Sequence, residues 1–280
     1  MTERFTVLGG GGFIGARLIR HLREQGHAVE APTRGATDLG SDPGHVIYAI
    51  GLTADFRSRP FDTMEAHVAV LGETLRRARF DSFLYLSSTR IYGGGGTGRE
   101  TDRFAVDPSD PSDLYNLSKL AGEALCHAQH NPRTRIARLS NVYDAAPDGA
   151  AETADFLPSV IRAARAGAVT FATAPDSAKD YIRVDDVCRA LERIALTGTE
   201  RCYNVAAGRN VTNGEIAEVL ARTAGCTTDT EPDAPAPRFP RIDTARIAAL
   251  FAAAGAPWQP VHLIDDLPRL VAPRARRNAA

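Results

Sequence analysis

Phe5-Thr6-Val7-Leu8-Gly9-Gly10-Gly11-Gly12-Phe13-Ile14-Gly15 is the stretch that decides the fold of this chain. Its first four residues carry no charge and read as a short buried strand. They run into a glycine turn and then a helix through Gln25, with Ile14, Leu18 and Leu22 on one face and Ile19 beside it. Gly26 is a C-terminal stop for that helix, and His27-Ala28-Val29-Glu30-Ala31 reads as the next strand. Glycines at 9, 12 and 15 follow G-x-x-G-x-x-G rather than G-x-G-x-x-G. The physical logic is shared: a tight turn, close approach of backbone to a pyrophosphate, and a helix N-terminus offering free N–H groups. Strand, glycine turn, helix and strand together predict an α/β protein with a Rossmann-type, doubly wound parallel sheet that binds a dinucleotide.

The end of the second strand bears on which dinucleotide. An acidic residue there holds the ribose 2′-hydroxyl of NAD. This chain has Ala31-Pro32-Thr33-Arg34, and Glu30 comes too early. Arg34, with Thr33, suits a 2′-phosphate, because a guanidinium matches phosphate geometry. NADP(H) is therefore expected over NAD(H).

Composition narrows the classes. At 280 residues, the chain is long enough for one large α/β domain with an added lobe. A net charge of −1 gives no nucleic-acid footprint, and the one basic cluster, Arg274 to Arg277, falls in a tail expected to fray. The four cysteines are far apart with no C-x-x-C, as free thiols in a reducing compartment would be. No apolar run nears the roughly 20 residues of a membrane span, and Met1-Thr2-Glu3-Arg4 leads straight into the first strand without room for a signal peptide. A cytoplasmic location is expected. No histidine cluster has metal spacing, so no metal site is expected.

Further along, His45 to Ile50 reads as a buried strand ending at Gly51, only about a dozen residues after Arg34. That is too few for another strand-plus-helix unit, so one strand is expected to be shortened or lost. Met64 to Arg79 reads as a helix, and Phe83-Leu84-Tyr85-Leu86 as a strand delivering Ser87-Ser88-Thr89-Arg90-Ile91-Tyr92-Gly93. Tyr115 and Lys119 then stand one helical turn apart on one face. A free phenol has a pKa of about 10, and an adjacent cation lowers it by roughly 1–3 units. The pair is an acid/base device in outline, although ordinary amphipathic helices also carry Tyr and Lys at this spacing.

The ordered set Gly9-x-x-Gly12-Phe13-Ile14-Gly15, Ser87-Ser88-x-x-Ile91-Tyr92-Gly93 and Tyr115-x-x-x-Lys119 resembles the extended short-chain dehydrogenase/reductases. More narrowly, it is similar to the NAD(P)-dependent epimerase/dehydratase group that acts on nucleotide sugars. Lys179-Asp180-Tyr181-Ile182-Arg183-Val184 and Ala137 to Tyr143 resemble later segments of the same family. The resemblance implies catalytic roles for Ser88, Tyr115 and Lys119: Tyr115 moves a proton, Lys119 lowers its pKa and holds the nicotinamide ribose, and Ser88 holds the substrate oxygen. It implies a dinucleotide lying along Gly9, Gly12, Phe13, Ile14, Gly15, Thr33, Arg34, Ile50, Gly51, Ser87, Tyr115 and Lys119. Substrate contacts are expected from Ser88, Thr89, Asn141, Lys179, Arg238 and Arg241. Residues 1–143 with about 180–208 are expected to form the dinucleotide-binding domain, and about 144–179 with 209–280 a smaller substrate lobe. Family members commonly dimerise, so a homodimer is expected.

The chain departs from the family pattern at several places. Asp144 stands where Gly is usual, His67 where Asn is usual, and Lys179 where Arg is usual. The leading expectation is NADPH-dependent reduction of a keto group on a nucleotide-linked sugar. The alternatives are a nucleotide-sugar epimerase or dehydratase that recycles its cofactor, and a dinucleotide-sensing protein without turnover. Dehydration is the weakest, since Thr89-Arg90 supplies no carboxylate after Ser88.

Overall fold

The computed structural model describes residues 2–36, 38–53, 55–144 and 156–272. The basic Arg274 to Arg277 cluster lies outside these residues. Six parallel strands form the main sheet: β1 (Arg4–Leu8), β2 (Ala28–Glu30), β3 (His45–Tyr48), β4 (Ser82–Ser88), β5 (Thr134–Leu139) and, later in the chain, β9 (Cys202–Val205). Their order is β2-β1-β3-β4-β5-β9. Strands β3, β5 and β9 are buried at every position, as parallel strands covered on both faces must be. The three-residue β2 pairs only with β1 and ends the sheet; among the described residues no strand lies between Arg34 and His45, where one is expected to be shortened or lost.

Side chains alternate between the two faces. Phe5, Val7, Ile47, Leu84 and Leu86 join one apolar cluster with Leu18 and Leu22 of α1 (Phe13–Glu24) and Val187, Leu191 and Ile194 of α6 (Val184–Thr197). Val46, Tyr48, Phe83 and Tyr85 face the other way, against Leu71 and Leu75 of α3 (Val70–Arg77) and Cys126 of α4 (Leu114–Ala128). The helix expected over 64–79 begins earlier, at Pro60. It runs as α2 (Pro60–Met64), a π-helical turn (Glu65–Ala69) and α3. Strand order reverses beside β1, between β2 and β3, and ligands of such sheets settle in the crevice at that switch point.

A second apolar cluster lies apart from the sheet. It joins Leu157, Val160 and Ile161 of α5 (Phe156–Ala166), Phe171 of β7 (Ala168–Phe171), Ile216 and Leu220 of α7 (Asn213–Ala224) and Leu267 of α9 (Leu263–Val271). Strand β7 pairs with β11 (Thr227–Thr230), and β8 (Ala178–Arg183) lies between β6 (Asn141–Tyr143) and β10 (Asn210–Thr212). The remaining helix, α8 (Ala245–Ala252), packs its Ile247, Leu250 and Phe251 into the main cluster. Among the described residues no helix is long and apolar enough to cross a membrane.

Candidate active site

The glycine turn is built for close approach. Gly9 has φ +84, and a Cβ there would stand 2.7 Å from the Ala49 carbonyl carbon and 2.8 Å from the Ile50 nitrogen, so the turn is pressed against the end of β3. A Cβ on Gly15 would lie 2.3 Å from the Gly9 carbonyl oxygen. Gly12 is the N-cap of α1, supplies no side-chain cap, and no acidic residue occupies the first turn. The first N–H groups of this helix are thus left for an anion, and the space around a Cβ on Gly11 is open. These features fit a dinucleotide pyrophosphate. Phe13 is exposed and Ile14 packs partly against the core.

Thr33 and Arg34 are exposed in the turn after β2. Glu30 is engaged elsewhere, its Oε1 accepting from Arg4 Nη1 at 3.1 Å. Arg34 makes no ion pair among the described residues, so a cation stands uncommitted where an acid would favour NAD. Ile50 and Gly51 lie across the crevice. A Cβ on Gly51 would meet His67 Nε2 at 3.0 Å and Lys119 Nζ at 3.5 Å.

Tyr115, in the first turn of α4, is buried, and the Ser88 side chain at the end of β4 stands near enough to favour its phenolate. Lys119 is also buried and donates from Nζ to the Leu86 carbonyl at 2.9 Å, with Nζ 5.7 Å from the centre of the Tyr115 ring. Ser88, Tyr115, Lys119 and Gly51 therefore gather at one end of the sheet. Sequence reasoning makes Lys119 the cation that lowers the Tyr115 pKa, and the structure differs. Burial pushes the phenol above its ordinary value, against the neighbouring Ser88 hydroxyl and the charge of Arg90, which lower it. Burial likewise takes the Lys119 ammonium down to about 7, with Glu123 opposing. In the protein alone both groups tend toward neutrality.

His67 sits in the π-helical turn with no exposed surface. Nε2 accepts from the Leu52 N–H at 3.3 Å, which leaves the proton on Nδ1 to donate to Ser118 Oγ at 2.8 Å. Ser118 in turn donates to the Tyr115 carbonyl at 2.8 Å. Burial and the nearby Lys119 lower the imidazole to about 2, so it stays neutral. His67 is thus a fully partnered helix residue, and it braces the Gly51 loop against α4.

The other expected residues divide. Ser87 turns its hydroxyl to Glu123 Oε1 at 2.6 Å, away from any open space. Thr89 is buried in the 3-10 turn that follows β4. Asn141 donates to the Asp180 carbonyl at 2.8 Å, Arg238 pairs with Asp176 at the surface at 3.2 Å, and Arg241 donates to the Gly208 carbonyl at 2.6 Å. Among the described residues neither Lys179 nor Arg241 makes an ion pair, and Lys179 makes no side-chain hydrogen bond either. Sequence reasoning missed Arg90, whose guanidinium carbon is 5.6 Å from the centre of the Tyr115 ring. The available signal was its place two residues after Ser88, whose Oγ accepts the Arg90 N–H at 3.2 Å and so tightens the turn.

A glycine cradle at the sheet's switch point and a Ser-Tyr-Lys cluster beyond it define the class. The chain belongs to the NAD-dependent epimerase/dehydratase family, whose model matches residues 5–206, and with it to the extended short-chain dehydrogenase/reductases. It is similar to dTDP-glucose 4,6-dehydratase of Streptomyces niveus, 27% identical over 212 residues that cover 72% of this chain and 60% of that one. The chain thus spans about three-fifths of that relative's length. It is 25% identical to UDP-glucose 4-epimerase of Mycolicibacterium smegmatis over 316 residues, covering 96% of this chain and 97% of the other. Among solved structures, RMD from Pseudomonas aeruginosa complexed with NADPH shares the fold with a TM-score of 0.73 at 24% identity, covering 97% of each chain.

Proposed function

We propose that the protein is an NADPH-dependent reductase of a keto group on a nucleotide-linked sugar, with Ser88, Tyr115 and Lys119 as its catalytic residues. The observation that carries the reading is the buried Tyr115 phenol beside Ser88, held protonated by its own burial. A phenol kept neutral at pH 7 suits giving a proton to a carbonyl oxygen rather than taking one from an alcohol. Ser88 Oγ holds the same oxygen and stabilises the charge that gathers on it. Lys119, anchored on the Leu86 carbonyl beside Gly51, holds the ribose and returns a proton to Tyr115 through it. The nicotinamide, when bound, supplies the reducing equivalent.

Support for NADPH comes from Arg34, exposed and in no ion pair among the described residues, with Glu30 diverted to Arg4. The backbone N–H groups at Phe13 and Ile14 would take the pyrophosphate, and Thr33 and Arg34 the 2′-phosphate. On this reading residues 1–143 with about 180–208 form the dinucleotide-binding domain, and about 144–179 with 209–280 the substrate lobe. The protein would work as a cytoplasmic homodimer.

Turnover of NADPH with keto sugar nucleotides, followed by absorbance, tests the reaction. Tyr115→Phe should lower kcat by roughly 10²–10⁴-fold while leaving NADPH binding intact. Turnover without net NADPH consumption would overturn reduction in favour of epimerisation. Unchanged activity in Tyr115→Phe would remove the catalytic assignment. Arg34→Ala should weaken NADPH but not NADH, and equal loss for both would sink the 2′-phosphate contact.

A further inference from the structure

The proton transfer derived above leaves a group of positive side chains beside Tyr115 without a task. The Arg90 guanidinium carbon lies 4.9 Å from the centre of the Phe56 ring and 5.6 Å from that of Tyr115. One of its N–H groups reaches the Ser112 carbonyl at 3.3 Å. Its side chain makes no other hydrogen bond and no ion pair among the described residues. Lys179 arrives from β8, half-buried, with Nζ 5.7 Å from the centre of the Phe156 ring and 6.0 Å from that of Phe239. Phe239 closes the gap between the two, since a Cβ on Gly93, in the same turn as Arg90, would meet it at 3.0 Å. Arg57, exposed, adds a third cation 4.5 Å from the Phe56 ring centre.

These cations oppose one another. Burial and then the charge of Arg57 lower the Arg90 pKa, against pulls from Tyr115, Asp113 and Asp110. Burial and then Arg90 lower that of Lys179. Half-buried cations that repel each other and lack a carboxylate cost free energy in the empty protein. An anionic ligand turns that cost into binding energy and specificity. Two such groups on separate elements call for two anionic groups on the ligand. The diphosphate of a nucleotide sugar provides one, and Lys179 is suited to it. Arg90 is placed differently. The Tyr115 hydroxyl must come within about 2.6–3.2 Å of the reacting oxygen, so a guanidinium beside that phenol serves substituents next to the reacting carbon. Its planar fork matches a carboxylate.

We propose that Arg90 binds a carboxylate on the sugar ring, so that the substrate is a nucleotide-linked hexuronate rather than a neutral hexose. The proposal rests on the reading of Tyr115 as the proton donor to a nucleotide-linked sugar. It is tested by calorimetric binding to the NADP-loaded protein, comparing UDP-glucuronate with UDP-glucose, the matching GDP pair, and free UDP and GDP. The wild type should bind the hexuronate of one base series roughly ten- to hundredfold tighter than its hexose, the range of one charge-assisted contact. Arg90→Gln should bring that ratio close to one, Arg90→Lys should recover part of it, and Lys179→Gln should weaken both sugars alike with the ratio kept. NADPH binding by each variant checks the fold. Equal affinity for the two sugars overturns the proposal while leaving the nucleotide-sugar reading in place. So does an Arg90→Gln variant that weakens both equally, since Arg90 would then hold the diphosphate. If no nucleotide or nucleotide sugar binds, the underlying reading fails and the hexuronate falls with it.

Discussion

Replacing Glu123 by Leu should cost about 3–5 kcal/mol of folding free energy, because it leaves a guanidinium buried without its counter-charge. Glu123 on α4 and Arg138 on β5 meet through two parallel bonds, Nε to Oε1 at 2.9 Å and Nη2 to Oε2 at 2.6 Å. Their side chains are only 5% and 4% exposed, so water cannot take the place of a lost partner. Glu123 also accepts from Ser87, whose hydroxyl would lose its acceptor at a further cost of about 1 kcal/mol. The other contacts of Arg138 cannot neutralise it. Nη1 donates to the Tyr92 hydroxyl at 2.8 Å and the Glu100 carbonyl at 3.2 Å, both uncharged. Nor can the guanidinium shed its proton: burial works against its charge, but the bonds and charge of Glu123 outweigh burial and raise its pKa. Even without Glu123 an arginine stays protonated. Arg138→Met strands the carboxylate instead and should cost a comparable amount. The double variant Glu123→Leu/Arg138→Met removes both charges and should return to within about 1–2 kcal/mol of wild type. Urea unfolding, followed by far-ultraviolet circular dichroism and by fluorescence of Trp258, gives the free energies where the two transitions coincide. The reasoning is refuted if each single variant loses under about 1 kcal/mol, or if the double variant loses the sum of the two.

Gly15→Ala places a methyl where the Gly9 carbonyl now sits, at 2.3 Å. The turn must open, and NADPH affinity by fluorescence titration should fall at least about tenfold; unchanged affinity would show that the turn does not cradle the pyrophosphate. Lys119 titrates near 7 when folded and at 10.5 when unfolded. Between those values the unfolded chain holds the proton that the folded protein has released, so this group makes stability rise with pH across that window. Lys119→Met should flatten the rise in dinucleotide-free protein, measured as the urea midpoint between pH 7 and 10; an unchanged slope would mean that Lys119 stays charged when buried.

Local features of the fold were legible because they are local in cause. The strand of Phe5 to Leu8, the glycine spacing and the helix from Phe13 each follow from neighbours within a few residues. The short interval between Arg34 and His45 likewise announced the missing strand. The π-helical turn at Glu65–Ala69 was not legible, since it sits where His67 is gripped by Leu52 and Ser118 from outside its own helix. Burial explains the other gap. Tyr115 and Lys119 at helical spacing suggested mutual adjustment of their pKa values, but spacing says nothing of desolvation, which dominates both. The approach of Arg90 to Lys179 and the pairing of Glu123 with Arg138 join distant segments, and only the folded chain brings them together.

The sheet's short edge has a practical consequence. Among the described residues no strand lies between β2 and β3, and Gly40 and Ser41 are exposed in the connection. Gly44 anchors the far end, since a Cβ on it would stand 2.3 Å from the Arg4 carbonyl oxygen. A reporter peptide or affinity tag inserted between Gly40 and Ser41 would interrupt no strand or helix. Lengthening such a loop costs only about 0.6 kcal/mol per doubling. The place where this chain has discarded a unit of its architecture is therefore the place where an engineer can most cheaply add one.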